Sequence, residues 1–271
     1  MSAKYQIGGS ASINGIVMIN IAKGKVARAV RSFDGTVFVK TLPFAEKALQ
    51  IYKAGIERRF SKIPVLRELI RILLMLSITI SSILAGAAEL FDFHRGWTAK
   101  RVISIAVFLG GFSVLLISDS SPALMSLAVL ILYFHKGIAE VLKYHGAEHK
   151  CINMYESEIV HLTFDADTAQ EFPRTHPRCG TNIIFVLVPL SILYYIASEE
   201  QFFLHLATGG LIDLLCSLLL LGIAVELFRI FQKSVLQFLL KPGMFLQRVL
   251  TTKEPDSRHL EVAIKALEAV L

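Results

Sequence analysis

The stretch VISIAVFLGGFSVLLIS, Val102 to Ser118, runs for seventeen residues without a charge. Ile72–Ala88, Asn182–Ser198 and Leu214–Val225 are also uncharged, and Pro122–Phe134 is a shorter run that continues into polar sequence. A helix needs roughly 20 mostly apolar residues to cross a bilayer, and with its flanks each run reaches that length. Apolar and polar residues do not alternate in any of them, so a helix rather than a barrel strand is the expected way to satisfy the backbone in hydrocarbon.

The composition agrees. The 271 residues are 54% hydrophobic with a mean hydropathy of +0.58, above the usual share for a soluble domain. The net charge is +6 and the pI about 9.2. In a chain of this kind the basic excess points to topology and anionic lipid, not nucleic acid. No cleavable signal peptide is expected, because the first 60 residues are polar and basic. Cys151, Cys179 and Cys216 are too few and too scattered for a disulfide framework.

Twelve Lys/Arg against three Asp/Glu in residues 1–67 predict a cytoplasmic N-terminal segment. Residues 1–43 read as a small β-rich cap. Phe33-Asp34-Gly35 lies between the β-prone runs Val26–Ser32 and Thr36–Thr41, a hairpin signal. Gly8–Gly15 reads as a tight loop, with a strand to follow at Ile16–Asn20. Residues 44–67 read as a basic amphipathic helix. Residues 66–230 form the predicted membrane domain, with a polar cytoplasmic loop at 150–180. Four spans are expected: Val102–Ser118, Pro122–Tyr144, Asn182–Ser198 and Phe203–Phe228. Leu66–Phe91 either re-enters or adds a span, since a full crossing would place Arg95, Lys100 and Arg101 outside. Residues 231–271 form a cytoplasmic tail in which Leu260, Ala263, Ile264, Leu267 and Leu271 have amphipathic helical spacing. The fold class is therefore mainly α, a polytopic helical cell-membrane protein with both termini cytoplasmic.

Chemistry concentrates in Tyr144-His145-Gly146-Ala147-Glu148-His149-Lys150. His145 and His149 stand one helical turn apart on one face and can occupy two corners of a zinc tetrahedron. Glu148 lies on nearly the same face, placed to act as general base on a water at the metal. The letters match the inverted zinc-peptidase pattern H-x-x-E-H. His176-Pro177-Arg178-Cys179-Gly180 precedes the next apolar run and offers imidazole and thiolate at i, i+3. Glu226, a carboxylate at the end of the last apolar run, is a further candidate. Span counting brings all of them to one membrane boundary. The plainer reading is that these histidines bind water or headgroups and that Glu148 pairs with Lys143 or Lys150.

With these motifs the chain resembles the YqhQ-type bacterial membrane proteins, which carry a domain of unknown function numbered thirteen eighty-five. The resemblance rests on Tyr144–Lys150, His176–Thr181, Gly222-Ile223-Ala224-Val225-Glu226, the tail from Leu246-Gln247-Arg248 to Pro255, and Gly8-Gly9 with Gly15. It implies a predicted metal-dependent enzyme and supplies no substrate. The chain departs from the family pattern at Ser10, Asn14 and Asn20, where Gln, Glu and Arg are usual.

The expected function is a metal-dependent hydrolase at the cytoplasmic membrane boundary. A divalent metal, zinc first, would be held by His145 and His149 with a third ligand among His176, Cys179 and Glu226. Glu148 would be the base, and Arg178 would stabilise developing negative charge. Membrane lipid is the expected partner, and a membrane peptide or lipid-linked molecule the expected substrate. The alternative is a non-catalytic membrane scaffold or assembly factor with a structural metal or polar site.

Overall fold

The computed structural model describes residues 7–12, 14–32, 34–56, 136–157, 164–197, 210–233 and 235–271, with isolated positions between 59 and 78. Four antiparallel strands form a meander in the order β1-β2-β3-β4. They are β1 Ile7–Ser12, β2 Gly15–Asn20, β3 Lys25–Arg31 and β4 Val37–Thr41. The helices are α1 Pro43–Ile51, α2 Lys136–Glu156, α3 Ala166–Gln170, α4 Ile184–Ala197, α5 Gly210–Lys233, α6 Lys241–Leu246 and α7 Ser257–Val270.

Every residue of β2 is buried, so the sheet is covered on both faces. Side chains alternate across a strand, and the two faces separate cleanly. Ile16, Met18, Ala27 and Ala29 pack under α2 and α7, against Tyr144, Ala147, Cys151, Leu260, Ala263 and Leu267. Val17, Ile19 and Val26 pack on the opposite side against Ala45 and Leu49 of α1, joined by Ile78. The apolar stripe read at 260–271 is the face that α7 lays on the sheet.

The Asp34-Gly35 hairpin forms between β3 and β4, with Gly35 at φ +88°, a conformation glycine adopts without steric cost. Gly8–Gly15, read as a loop, is instead mostly β1 and its turn: Gly9 pairs with Met18 and Ser12 with Gly15. Its small residues answer to crowding rather than to flexibility. A Cβ on Gly9 would lie 2.7 Å from the Val17 carbonyl and 2.9 Å from Glu148 Oε1.

Helix predominates among the described residues, but the expectation of a polytopic membrane protein with four spans is overturned. Among the described residues one helix is long and apolar enough to cross a membrane, at Leu215–Gln232 within α5. The run Asn182–Ser198 yields α4, fourteen residues with Pro189 inside. At 1.5 Å per residue the described part of α4 is about 21 Å long, and the residues that follow Ala197 lie outside the described ones. The described end of Pro122–Tyr144 belongs to α2, which packs Tyr144, Ala147 and Cys151 on the sheet. Leu74 and Ile78, from the run 66–91, pack on the α1 side of the sheet. Val102–Ser118 and most of 79–135 lie outside the described residues.

Candidate metal centre

The centre of α2 packs so closely on the chain that follows α6 that a side chain at Gly146 would meet the Lys253 carbonyl at 2.3 Å. Lys253 N–H donates to the Leu142 carbonyl at 2.9 Å. This approach brings the Thr251 carbonyl to His145, whose Nδ1–H donates to it at 2.7 Å. One turn on, His149 Nδ1–H donates to the Arg174 carbonyl at 2.8 Å. Both acceptors are carbonyl oxygens, so both imidazoles must carry their proton on Nδ1. Each is left with an Nε2 lone pair. The rings lie 4.4 Å apart, tilted by 59°.

Cys179 completes the group. Its Sγ is 3.4 Å from His145 Nε2, and the ligand atoms of His145, His149 and Cys179 all lie within 4.8 Å of one another. Tetrahedral zinc with Zn–N near 2.0 Å and Zn–S near 2.3 Å separates N from S by about 3.5 Å. Histidine ligands of metals characteristically donate their second ring N–H to a carbonyl or carboxylate, as both imidazoles do here. Burial opposes charge on Cys179, but the adjoining His149 imidazole and hydrogen bonding to Thr181 outweigh it and bring the thiol below its ordinary pKa. The donor set therefore fits a divalent cation.

Glu148 stands beside this triad without belonging to it. It is 4% exposed, and its Oε2 is buried with no hydrogen-bond partner. Burial pushes its carboxyl up to about 7, with His145 pulling the other way. Glu148, the triad, His176 and Arg178 line a cavity of about 130 Å³ that is closed on one side by Ile7, Gly8 and Gly9. An unpartnered buried carboxylate oxygen is costly and marks a place where chemistry or a ligand is expected.

Three sequence candidates take other places. His176 has the opposite tautomer, because its Nδ1 accepts from Arg178 N–H at 3.2 Å and its Nε2 faces Glu156 at 3.4 Å. No ring lone pair remains for a cation. Burial lowers its pKa to about 4, so it sits neutral beneath His149, ring centres 5.9 Å apart. Arg178 is held by Glu156 and does not point unpaired at the cavity. Glu226 lies on α5 and pairs with Arg67 and Arg229 at 3.5 Å.

The site also depends on residues to which the sequence reading gave no role in it. Gln247 is fully buried: its Oε1 accepts from His176 N–H at 2.9 Å, and its Nε2 donates to the His176 carbonyl and Asn182 Oδ1. Asn182 Nδ2 donates to the Pro177 carbonyl at 2.9 Å. Together they fix the loop that presents Cys179. Lys150 Nζ donates to the carbonyls of Gln170 and Phe172 and pairs with Glu254, which holds the Arg174 segment over His149. The available signal was an amide inside an apolar stretch, Gln247 in Met244–Leu250 and Asn182 at the head of α4.

A family model described as "Protein of unknown function (DUF1385)" matches residues 36–271. The chain is 34% identical over 140 residues to the "Uncharacterized protein YqhQ" of Bacillus subtilis (strain 168), a match covering 49% of this chain and 41% of that protein. The chain thus spans less than half the length of that relative. No solved structure matches.

Proposed function

We propose that this protein, which belongs to the DUF1385 family, is a membrane-associated, metal-dependent hydrolase. In this reading His145, His149 and Cys179 hold one divalent cation, zinc first, and Glu148 is the general base. The observation that carries it is the three-ligand set with a buried, unpartnered carboxylate oxygen beside it. Structural zinc sites are closed by four protein ligands, whereas catalytic ones keep a position open.

A zinc ion bound here supplies Lewis acidity to a water or a substrate carbonyl. Glu148 takes the proton from the attacking water and returns it to the leaving group. His176 and Arg178 act behind the triad: Glu156 anchors Arg178, and the Arg178 backbone fixes the His176 ring. The helix Leu215–Gln232 supports placement at a membrane, with a membrane peptide or lipid-linked molecule as substrate.

The size of the cavity favours a second reading. About 130 Å³ is small beside the roughly 300–1,000 Å³ of a usual ligand pocket, which suits a structural metal in a scaffold protein. Glu148→Gln separates the two. The catalytic reading expects purified Glu148→Gln to keep its zinc and lose hydrolysis of a panel of membrane peptides and lipid-linked esters and amides. Zinc loss on Glu148→Gln, or wild-type zinc binding with no turnover of any panel member, would favour the scaffold.

A further inference from the structure

The segment 235–250 has its polarity reversed. It comprises the 3₁₀ turn Val235–Leu240, α6 and the π-type turn that begins at Gln247. Its inward positions are Leu240, Gly243 and Gln247, and the last is an amide. Its outward positions carry Val235 (92% exposed), Phe238 (55%), Phe245 (68%), Val249 and Leu250. A surface helix in water shows the opposite arrangement. A contiguous exposed apolar patch of this kind marks a protein or membrane contact.

The charges decide between those two. The exposed charged residues interspersed with the apolar ones are Lys241 and Arg248, and no acidic residue occurs between 235 and 250. Bulky apolar groups with cations beside them are the composition of a segment that lies in the headgroup layer of an anionic leaflet. The segment also follows directly on Leu215–Gln232, the apolar helix of α5.

We infer that residues 235–250 form an interfacial membrane-docking segment, with Phe238, Phe245, Val249 and Leu250 in the acyl boundary and Lys241 and Arg248 on anionic headgroups. Its inner side carries Gln247, which holds the Cys179 loop. Gly243 lets it pack there, since a Cβ on Gly243 would meet Asn182 Oδ1 at 2.2 Å. The docked surface therefore sits directly behind the metal centre. This inference does not depend on catalysis.

The test uses the full chain with its one tryptophan, Trp97, replaced by Phe and a probe introduced as Phe245→Trp, or as Phe238→Trp in a second protein. Each is reconstituted in phosphatidylcholine bilayers with and without phosphatidylglycerol. The expected result is blue-shifted emission that lipid brominated near the headgroup end of its chains quenches and aqueous iodide does not. The blue shift should grow with phosphatidylglycerol, and Lys241→Gln with Arg248→Gln should remove that dependence. Emission quenched by iodide, or blue-shifted yet untouched by brominated lipid because protein covers the probe, would overturn the inference. So would quenching that is equal with and without the anionic lipid.

Discussion

Two imidazoles that share one tautomer, and a third that has the other, decide the chemistry of this site. His145 and His149 spend Nδ1–H on backbone carbonyls and keep Nε2 for a ligand; His176 receives Arg178 N–H on Nδ1 and cannot. Glu148 is the strained member. Its folded pKa is raised to about 7 from 4.5 by burial, so the metal-free protein loses stability as pH rises from about 4.5 through 7. Glu148→Gln removes that loss, and chemical unfolding in the presence of chelator at pH 8 should show the variant more stable by on the order of 1–3 kcal/mol. Equal midpoints at pH 8 would mean that the carboxylate is solvated. Gly9→Ala should act in the opposite sense, because its methyl collides with Val17 and Glu148; overpacking of this kind costs about 1–3 kcal/mol, read from the same unfolding curves. The spacing of His145, Glu148 and His149 was legible from helix geometry, and Cys179 was visible as a candidate. The displacement of His176 was not, because it depends on where one backbone N–H and the distant Glu156 fall.

At the scale of elements, the site is a product of packing between pieces far apart in sequence. Strand β1 closes it, α2 supplies three of its groups, the 176–179 loop supplies the thiol, and the 247–254 segment supplies the carbonyl and amide that hold the rest. Gln247→Ala leaves His176 N–H and Asn182 Oδ1 buried without their partner. An unsatisfied buried group costs about 1–3 kcal/mol, so the variant should unfold earlier and bind zinc more weakly in a competition titration with a chromogenic chelator. Unchanged zinc affinity would show that the Cys179 loop is held without Gln247. The hairpin at Asp34-Gly35 and the apolar stripe of α7 could be read from local pattern, since turn chemistry and helical period are local properties. Strand β1 was hidden because a glycine required for close contact, as Gly9 is against Val17 and Glu148, looks the same in sequence as a glycine required for a turn.

At the scale of the whole molecule, a four-stranded sheet with helices on both faces organises the described residues, and one helix has the length and apolarity of a span. Among the described residues hydropathy marked more spans than the one helix that has the length and apolarity, because it weighs composition and not where a segment packs. The described part of α4 runs from Ile184 to Ala197 with Pro189 inside it, and α2 turns the end of another apolar run into the roof of the sheet. What the sheet and its helices build is a place where His145, His149 and Cys179 converge beside Glu148. X-ray absorption at the zinc edge of the purified full chain tests that convergence most directly. The expected spectrum has two imidazole nitrogens near 2.0 Å, one sulfur near 2.3 Å and one further light atom. A zinc-free protein, or a zinc shell without sulfur, would contradict it.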